Sequence, residues 1–563
     1  MFNGRRKNSD LFVGDFETTT DPLDCRVWLW ATANITTDEF EWGIDIESFV
    51  KFLFDKNCLM WFHNLAFDGS FVIDYLLRNG FEHVKENPRA GQFTTLISAM
   101  GKFYTIRICW QHGCTTEMRD SLKKIPMGVS AMSKAFSLQE SKGSIDYSMH
   151  RPVGYMPDAN ELDYVRKDVF IVAHSLKHQL DQGLDALTVG SDALREYKQL
   201  YTSKWFERTF PIMPKDIDKS IRKSYRGGFT YADPRFARRI LGSGKVYDVN
   251  SLYPSVMYDR LLPYGEPLWS DGKPQRMEGY PLYIMSVTMT ATLREHKIPC
   301  IQIKGHSYFS ATEYQRNIDE PTTISCTSVD WELWNDHYDI KVISYNGVWY
   351  FSADVGMFSN YIDKWSKVKE ESEGGMRVIA KLQLNSLYGK FATNPDVTPK
   401  IPILEHDRVR LVLGDPEERE PVYTAMGSFI TAYARAFTIR SAQAHYFRFA
   451  YADTDSLHLV GTEDVRLDVH PSKLGAWKHE YDFTEAFFMR AKGYSERHID
   501  GKLETHIAGL PIEAAKQVTF DDYKTGRVFG GKLSPKRVPG GIILEDVGFT
   551  LVKVAEPDDL ITD

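Results

Sequence analysis

Acidic residues stand inside the most apolar runs of this chain, and that placement restricts the fold more than any count of residue types. LFVGDFET (Leu11–Thr18), FHNLAFDGS (Phe62–Ser70), VYDVNSLYPS (Val246–Ser255) and YADTDS (Tyr451–Ser456) each set Asp or Glu among bulky hydrophobic residues. On a strand, side chains two apart share a face, so Asp15 with Glu17, and Asp453 with Asp455, would repel without a compensating charge. For YADTDS two readings stand side by side. Asp and Thr suit a hairpin turn, and paired acids suit a divalent cation.

The 563 residues are enough for about three or four domains. At 43% hydrophobic and 13% aromatic, the chain can build several packed cores and is not broadly disordered. A formal net charge of −8 means that a nucleic-acid partner has to be argued from local charge. The six cysteines form no C-x-x-C pair, which excludes a zinc ribbon or a thioredoxin-like motif. The first ten residues have no secretory apolar core, and no run is long enough to span a bilayer, so a cytoplasmic protein with reduced thiols is expected.

Short apolar runs alternate with turn signals over residues 11–110, which predicts a mixed sheet with helices, an α/β domain. The spacing over 158–181 predicts a long helix with Tyr164 and Asp168 on one face. Between Lys219 and Lys245, eight basic residues meet one acid, Asp233, with Tyr225, Phe229, Tyr231 and Phe236 interleaved. Phosphate contacts and stacking faces in one stretch suit a nucleic-acid path, while a solvated linker is the plainer reading. A second basic segment, Tyr523–Gly541, carries five Lys and Arg and no acid. Read as a helix, AKLQLNSLYGKF puts Lys381, Asn385 and Tyr388 on one face and Leu384 and Leu387 on the buried side.

Phosphodiester chemistry commonly uses two divalent ions held by several carboxylates. The acids sort along the chain into an early set, Asp15, Glu17, Asp68 and Asp168, and a late set, Asp248, Asp453 and Asp455. Two sets suggest two active sites.

DFET, NLAFD and YVRKD resemble, in order and spacing, the three exonuclease motifs of proofreading DNA polymerases. DVNSLYPS, KLQLNSLYGKF and YADTDS resemble motifs A, B and C of family B polymerases. YRGGF (Tyr225, Arg226, Gly227, Gly228, Phe229), TAYAR (Thr431–Arg435) and KGY (Lys492–Tyr494) are similar to motifs of the protein-primed subgroup from small tailed bacteriophages. The resemblance runs from about residue 10 to about residue 550. It implies an α/β (α+β) fold, with an RNase H-like 3′–5′ exonuclease domain over 1–187 and a right-hand polymerase domain over 188–563. Palm would take 188–260 and 424–525, fingers about 356–393 and thumb about 526–563. Two subgroup insertions are expected, at about 303–355, which in relatives contacts the terminal protein, and at about 394–422, which closes a ring around DNA.

By the same resemblance, Asp15, Glu17, Asp68 and Asp168 would bind the exonuclease metals, Tyr164 would orient the attacking water and Lys142 would support catalysis. Thr18, His63, Asn64, Phe67, Ser121 and Leu122 match contacts to the single-stranded primer end. Asp248 and Asp455 would be the main polymerase ligands, with Val249 giving its carbonyl and Asp453 a motif position of less constant role. Tyr253 matches the residue that excludes a ribose 2′-OH; Lys369, Arg377 and Lys381 match phosphate-binding positions; Asn385 and Tyr388 line the nucleotide pocket. Thr431, Arg435, Lys492 and Tyr494 match primer-template contacts, joined by the YRGGF loop.

The implied enzyme replicates a linear phage genome in the cytoplasm of an infected bacterium, with proofreading and strand displacement. Its cofactors would be two Mg²⁺ or Mn²⁺ per site and its substrates dNTPs. Its partners would be primer-template DNA, single-stranded primer ends and a terminal protein, with the chain a monomer or a heterodimer with that protein. An inactive nucleic-acid-binding scaffold of the same fold would tolerate erosion of the acids, yet all seven are present. A nuclease alone leaves the late set and the lysine-bearing helix unexplained.

Overall fold

In a computed structural model of the chain, residues 10–303 and 314–552 are described. The chain's first nine residues, its acidic tail and parts of the expected exonuclease domain, first insertion and thumb lie outside the described residues. The acid-bearing strand Asp10–Thr18 runs through the middle of an eight-stranded sheet, buried at six of its nine positions. It pairs antiparallel with Val27–Asn34 and parallel with Cys58–Phe62, so both its edges are satisfied and its acids cannot retreat to an exposed rim. Thr115–Asp120 and then Phe103–Cys109 continue the sheet on the far side of Cys58–Phe62. Helix Leu65–Arg78 follows Cys58–Phe62 after a short turn, which brings Asp68 to the end of the same central strands. The helix predicted over 158–181 is Ala159–Asp181, opened by a capping box of Asp158 and Glu161 and packed across Asp10–Thr18 and Val27–Asn34.

A second eight-stranded sheet places Gly244–Val249 between Ser456–Val460 and Trp477–Arg490. Phe449–Asp453 and Ser456–Val460 form a hairpin whose two-residue tip is Thr454–Asp455. Helix Thr424–Ala444, buried along most of its length, packs on Leu252–Asp259 and on Gly374–Phe391. Strands Asn317–Thr327 and Tyr338–Asp354, from the segment expected as the first insertion, complete a four-stranded sheet with Leu262–Ser270 and Leu282–Leu293. Strands need partners, and here the partners come from earlier in the chain.

Distant parts of the chain close on one another. Val409, from the hairpin Lys400–Glu405/Arg408–Leu413, shares the first domain's core with Val538, Ile542 and Ile543 of the terminal hairpin Leu533–Val538/Gly541–Asp546. Gly540 lies so near that domain that a Cβ would sit 2.2 Å from the Cys25 carbonyl oxygen, at a φ of 90° that glycine alone adopts easily. Among the described residues no helix is long and apolar enough to cross a membrane.

A fully buried ion pair ties the first domain to the second. Lys124 and Asp192 meet with both side chains at 0% exposure. Lys124 also donates to the Leu184 carbonyl at 3.0 Å, and Asp192 accepts from the Ala186 amide at 2.8 Å. Asp192 also pairs with Arg195 at 2.8 Å, so it is the loss of Asp192 that strands a buried charge. Asp192→Leu should lower unfolding stability by about 3–5 kcal/mol, whereas Asp192→Leu with Lys124→Met should recover much of it. Urea denaturation of the three proteins checks this; equal losses in single and double variants would count against it.

Candidate active sites

In the first centre, Asp15 and Glu17 share the strand face that the alternation predicts. The Phe16 amide between them donates to Asp68 Oδ1 at 3.0 Å, which locks the helix acid onto the strand. Asp168 comes from the long helix and accepts from Lys142 Nζ at 2.8 Å through Oδ2, while its buried Oδ1 has no hydrogen-bond partner. Burial above all, and then repulsion from Asp168, push the Asp15 carboxyl up to about 7 against the pull of Lys142. Burial also holds Glu17 and Asp68 well above the carboxylate range, with Asp15 the next cause for each. A cavity of about 590 Å³ opens onto Asp15, Glu17, Asp168, Lys142, Tyr164 and Phe67, and Leu533, Ile543 and Leu544 of the terminal hairpin form part of its wall.

Beside the acids, His63 Nε2 lies 2.9 Å from the Met127 carbonyl and Nδ1 2.9 Å from Ser121 Oγ, and burial lowers its pKa, so the neutral ring is favoured. Thr18 lines the same cavity. Asn64 takes φ 77°, and its amide donates to Asp120 Oδ1 at 3.0 Å, the oxygen that also caps Leu122. Asp120 and Tyr147 escaped the sequence reading. Asp120 stands first in DSLKK and ties the Asn64 and Leu122 segments together through one oxygen; Tyr147, whose hydroxyl lies 3.2 Å from that of Tyr164, comes from a stretch without helical or strand pattern.

In the second centre, Asp248, next to last in its strand, pairs with Ser456, and the Val249 amide donates to the Asp455 carbonyl at 2.9 Å. Burial, then Asp455 and Glu480, push the Asp248 carboxyl up to about 7, and its buried Oδ1 has no partner. Burial also raises Asp455. YADTDS is thus both things at once, a hairpin tip and an acid site. Its two acids differ: Asp453 accepts from Thr230 Oγ1 at 2.9 Å and is held by Lys492 Nζ at 3.1 Å, so its carboxylate is engaged. Tyr253 and Tyr388 stack with centroids 4.1 Å apart and planes at 18°. Lys369 Nζ reaches Ser251 Oγ at 3.2 Å, and Arg377 donates to the Lys369 carbonyl at 2.6 Å. Burial, then Lys381 and Arg377, lower the Lys369 pKa, the signature of cations gathered where an anion would settle. Lys381 and Asn385 are exposed on their helix, with Leu384 and Leu387 buried behind, as the spacing predicts.

Three residues expected to contact DNA are buried. Arg226 is 4% exposed and donates to the carbonyls of Ser224, Ser325 and Gln302. Arg435, 3% exposed, pairs with Asp330 at 2.7 Å and donates to the carbonyls of Arg226 and Gly227. Thr431 is 1% exposed and its hydroxyl donates to the Gly427 carbonyl. A buried guanidinium must satisfy its donors inside the protein, so Arg226 and Arg435 anchor the YRGGF loop, while Thr431 bonds within its own helix. Much of the basic stretch 219–245 is committed in the same way, with Arg235 on Asp233 and Arg222 on Asp218. Tyr494 packs on Tyr451, whose hydroxyl accepts from the Lys492 amide at 3.0 Å. Gly227 is open, but a Cβ on Gly228 would lie 2.8 Å from Thr454 and 3.1 Å from the Tyr253 hydroxyl.

Among the described residues no three His, Cys, Asp or Glu side chains close on one ion position. Like charges stand apart until a cation draws them in, and Mg²⁺ needs only one or two carboxylates beside water and substrate phosphates. One partnerless carboxylate oxygen in each centre, Asp168 Oδ1 and Asp248 Oδ1, fits such an ion.

Fold and sites together define a DNA polymerase that carries a nuclease domain. The family DNA polymerase type B, organellar and viral, matches residues 52–161 and 155–473. The DNA polymerase of Bacillus phage phi29 is 43% identical over 570 residues, covering 96% of this chain and 99% of its own. Phi29 DNA polymerase solved with primer-template DNA and incoming nucleotide substrates superposes with a TM-score of 0.92 at 41% identity, covering 97% of this chain and 100% of that one. Its complex with single-stranded DNA gives 0.91 at the same identity and coverage. The chain belongs to the type B DNA polymerases, in the protein-primed group of phi29-like phages.

Two outcomes follow from this geometry. Asp15 and Asp248 keep protons up to about pH 7 in the fold, against roughly 3.9 unfolded. Between those values the folded chain binds more protons, so this contribution to stability is present at low pH and falls as pH rises. Melting temperature gained on adding Mg²⁺ to EDTA-treated protein should therefore be larger at about pH 8 than at about pH 5; equal gains would separate the ion from these acids. Gly228→Ala should press on Thr454 and Tyr253 and slow single-nucleotide incorporation by about tenfold; an unchanged rate would show that the loop gives way freely.

Proposed function

We propose that this DNA polymerase performs two-metal nucleotidyl transfer at Asp248 and Asp455 and 3′–5′ exonucleolytic trimming at Asp15, Glu17, Asp68 and Asp168. The observation that carries the reading is the pair of buried carboxylate oxygens without partners, one in each centre. Mg²⁺ or Mn²⁺, when bound, would activate the attacking oxygen and stabilise the leaving one. The protein's own groups do the rest. Lys369, Lys381 and Arg377 attract the dNTP triphosphate. The Tyr253–Tyr388 stack forms a flat wall against sugar and base and leaves a 2′-OH little room. Lys492 holds Asp453 away from the reacting centre, so that Asp455 serves as the ligand. In the other site, Lys142 orients Asp168, Tyr164 orients water, and His63, Ser121 and Phe67 hold a frayed primer end.

The family relatives support a wider reading. In the cytoplasm of an infected bacterium, the chain would extend from the hydroxyl of a terminal protein, copying a linear phage genome with strand displacement. The first insertion would meet the terminal protein, and the second, with the terminal hairpin, would encircle DNA.

Asp248→Ala should lower primer extension by at least about 100-fold while degradation of a single-stranded oligonucleotide persists. Asp15→Ala with Asp68→Ala should do the reverse, and extension by Asp248→Ala would overturn the assignment. Protein priming is checked by incubating a purified candidate terminal protein with labelled dNTP; no labelled protein from an enzyme active on primed DNA would sink it.

A further inference from the structure

Residues 137–158 form no helix or strand, yet they cross the first centre and deliver Lys142 to Asp168 and Tyr147 to Tyr164. An irregular strap of that length is costly to order, and something must hold it in register. Its far end is pinned by a buried cluster that the reaction itself does not use. Arg151 and Glu161 are 3% and 8% exposed at their side chains. Arg151 Nε and one terminal nitrogen both donate to Glu161 Oε1, at 3.0 and 2.8 Å. The guanidinium also lies 4.2 Å from the ring of Trp28, on the strand beside Asp10–Thr18. Glu161 Oε2 accepts from the Tyr155 hydroxyl at 2.9 Å and the Asp158 amide at 3.0 Å. Every acceptor site of this carboxylate is thus turned toward the strap, at the first turn of the helix that carries Tyr164 and Asp168.

We propose that Arg151 and Glu161 are positioning residues of the exonuclease reaction, a clasp that holds the strap so that Lys142 and Tyr147 reach their partners. A lysine could not replace the arginine, because one ammonium cannot fork onto the carboxylate and lie flat on an indole together. The clasp touches no part of the polymerase centre. It acts through two groups, and Lys142 is the one whose placement can be tested.

The proposal rests on the exonuclease reading of the Asp15 centre. If wild-type protein fails to degrade a single-stranded oligonucleotide with Mg²⁺, that reading fails; if it degrades the strand and the clasp variants do too, only the clasp fails. Arg151→Met, Arg151→Lys and Glu161→Gln, each in the full chain, should lower the single-turnover degradation rate by about 10- to 100-fold. The oligonucleotide concentration for half-maximal rate and primer extension by the same preparations should each stay within about twofold. Combining Arg151→Met with Lys142→Ile should cost no more than Lys142→Ile alone, because the two act in series. Full exonuclease activity in Arg151→Met, rescue by Arg151→Lys, additive losses in the combination, or a parallel fall in primer extension would each overturn the proposal.

Discussion

A carboxylate removed from water without a counter-ion either takes up a proton or recruits a cation, and both centres of this protein are arranged around that choice. Asp15, Glu17 and Asp68 crowd at the end of central strands whose edges are already paired, so none can swing to solvent. Asp248 is trapped in the same way between two antiparallel neighbours. The fold therefore stores unfavourable charge at two points, and a divalent ion with a phosphate ester relieves it. Surrounding cations each engage one acid or one oxygen by direct contact and leave its neighbour open. Lys142 occupies one oxygen of Asp168 and leaves the other, while Lys492 satisfies Asp453 and leaves Asp455.

That arrangement needs a stiff frame, and part of its stiffness lies in backbone that ordinary residues avoid. Asn64, Ser251, Thr454 and Lys492 all have φ between 55° and 77°, although none is glycine. Each stands beside a functional side chain: Asn64 before the helix of Asp68, Ser251 after Asp248, Thr454 between the paired acids, Lys492 on Asp453. Left-handed conformations at non-glycine residues are held only where surrounding contacts over-determine them. Here the amide of Asn64 has Asp120, and that of Lys492 has the Tyr451 hydroxyl. The chain's last described hairpin adds to the frame, since Arg537 reaches Ser70 at 3.1 Å, two residues past Asp68.

Periodicity carried the helices well. Tyr164 and Asp168 share a face, and Leu384 and Leu387 sit behind Lys381 and Asn385, because a 3.6-residue repeat is a local property. Charge was less legible. The basic stretch around Arg226 read as a nucleic-acid path, yet Arg226 and Arg435 are buried hydrogen-bond donors to backbone carbonyls. An arginine in a sequence has the same letter whether its guanidinium faces phosphate or protein. Asp120, Tyr147 and Arg151 gave no signal for a related reason, and Glu161 signalled only a helix start: their other partners lie far along the chain or on elements with no pattern.

The sequence by itself determined which acids and lysines group together and in what order, because acids within apolar runs and lysine-bearing helices are patterns of neighbours. It also determined the family, since those patterns recur at matching spacing over nearly the whole chain. The resemblance ranks Asp455 above Asp453, but only the tertiary structure gives the physical reason, by engaging the Asp453 carboxylate. Asp453 and Asp455 are two letters apart and alike in every local respect, and Lys492 and Thr230, each far away in the chain, engage one and leave the other. Burial and long-range pairing, not residue type, separate a ligand from a strut.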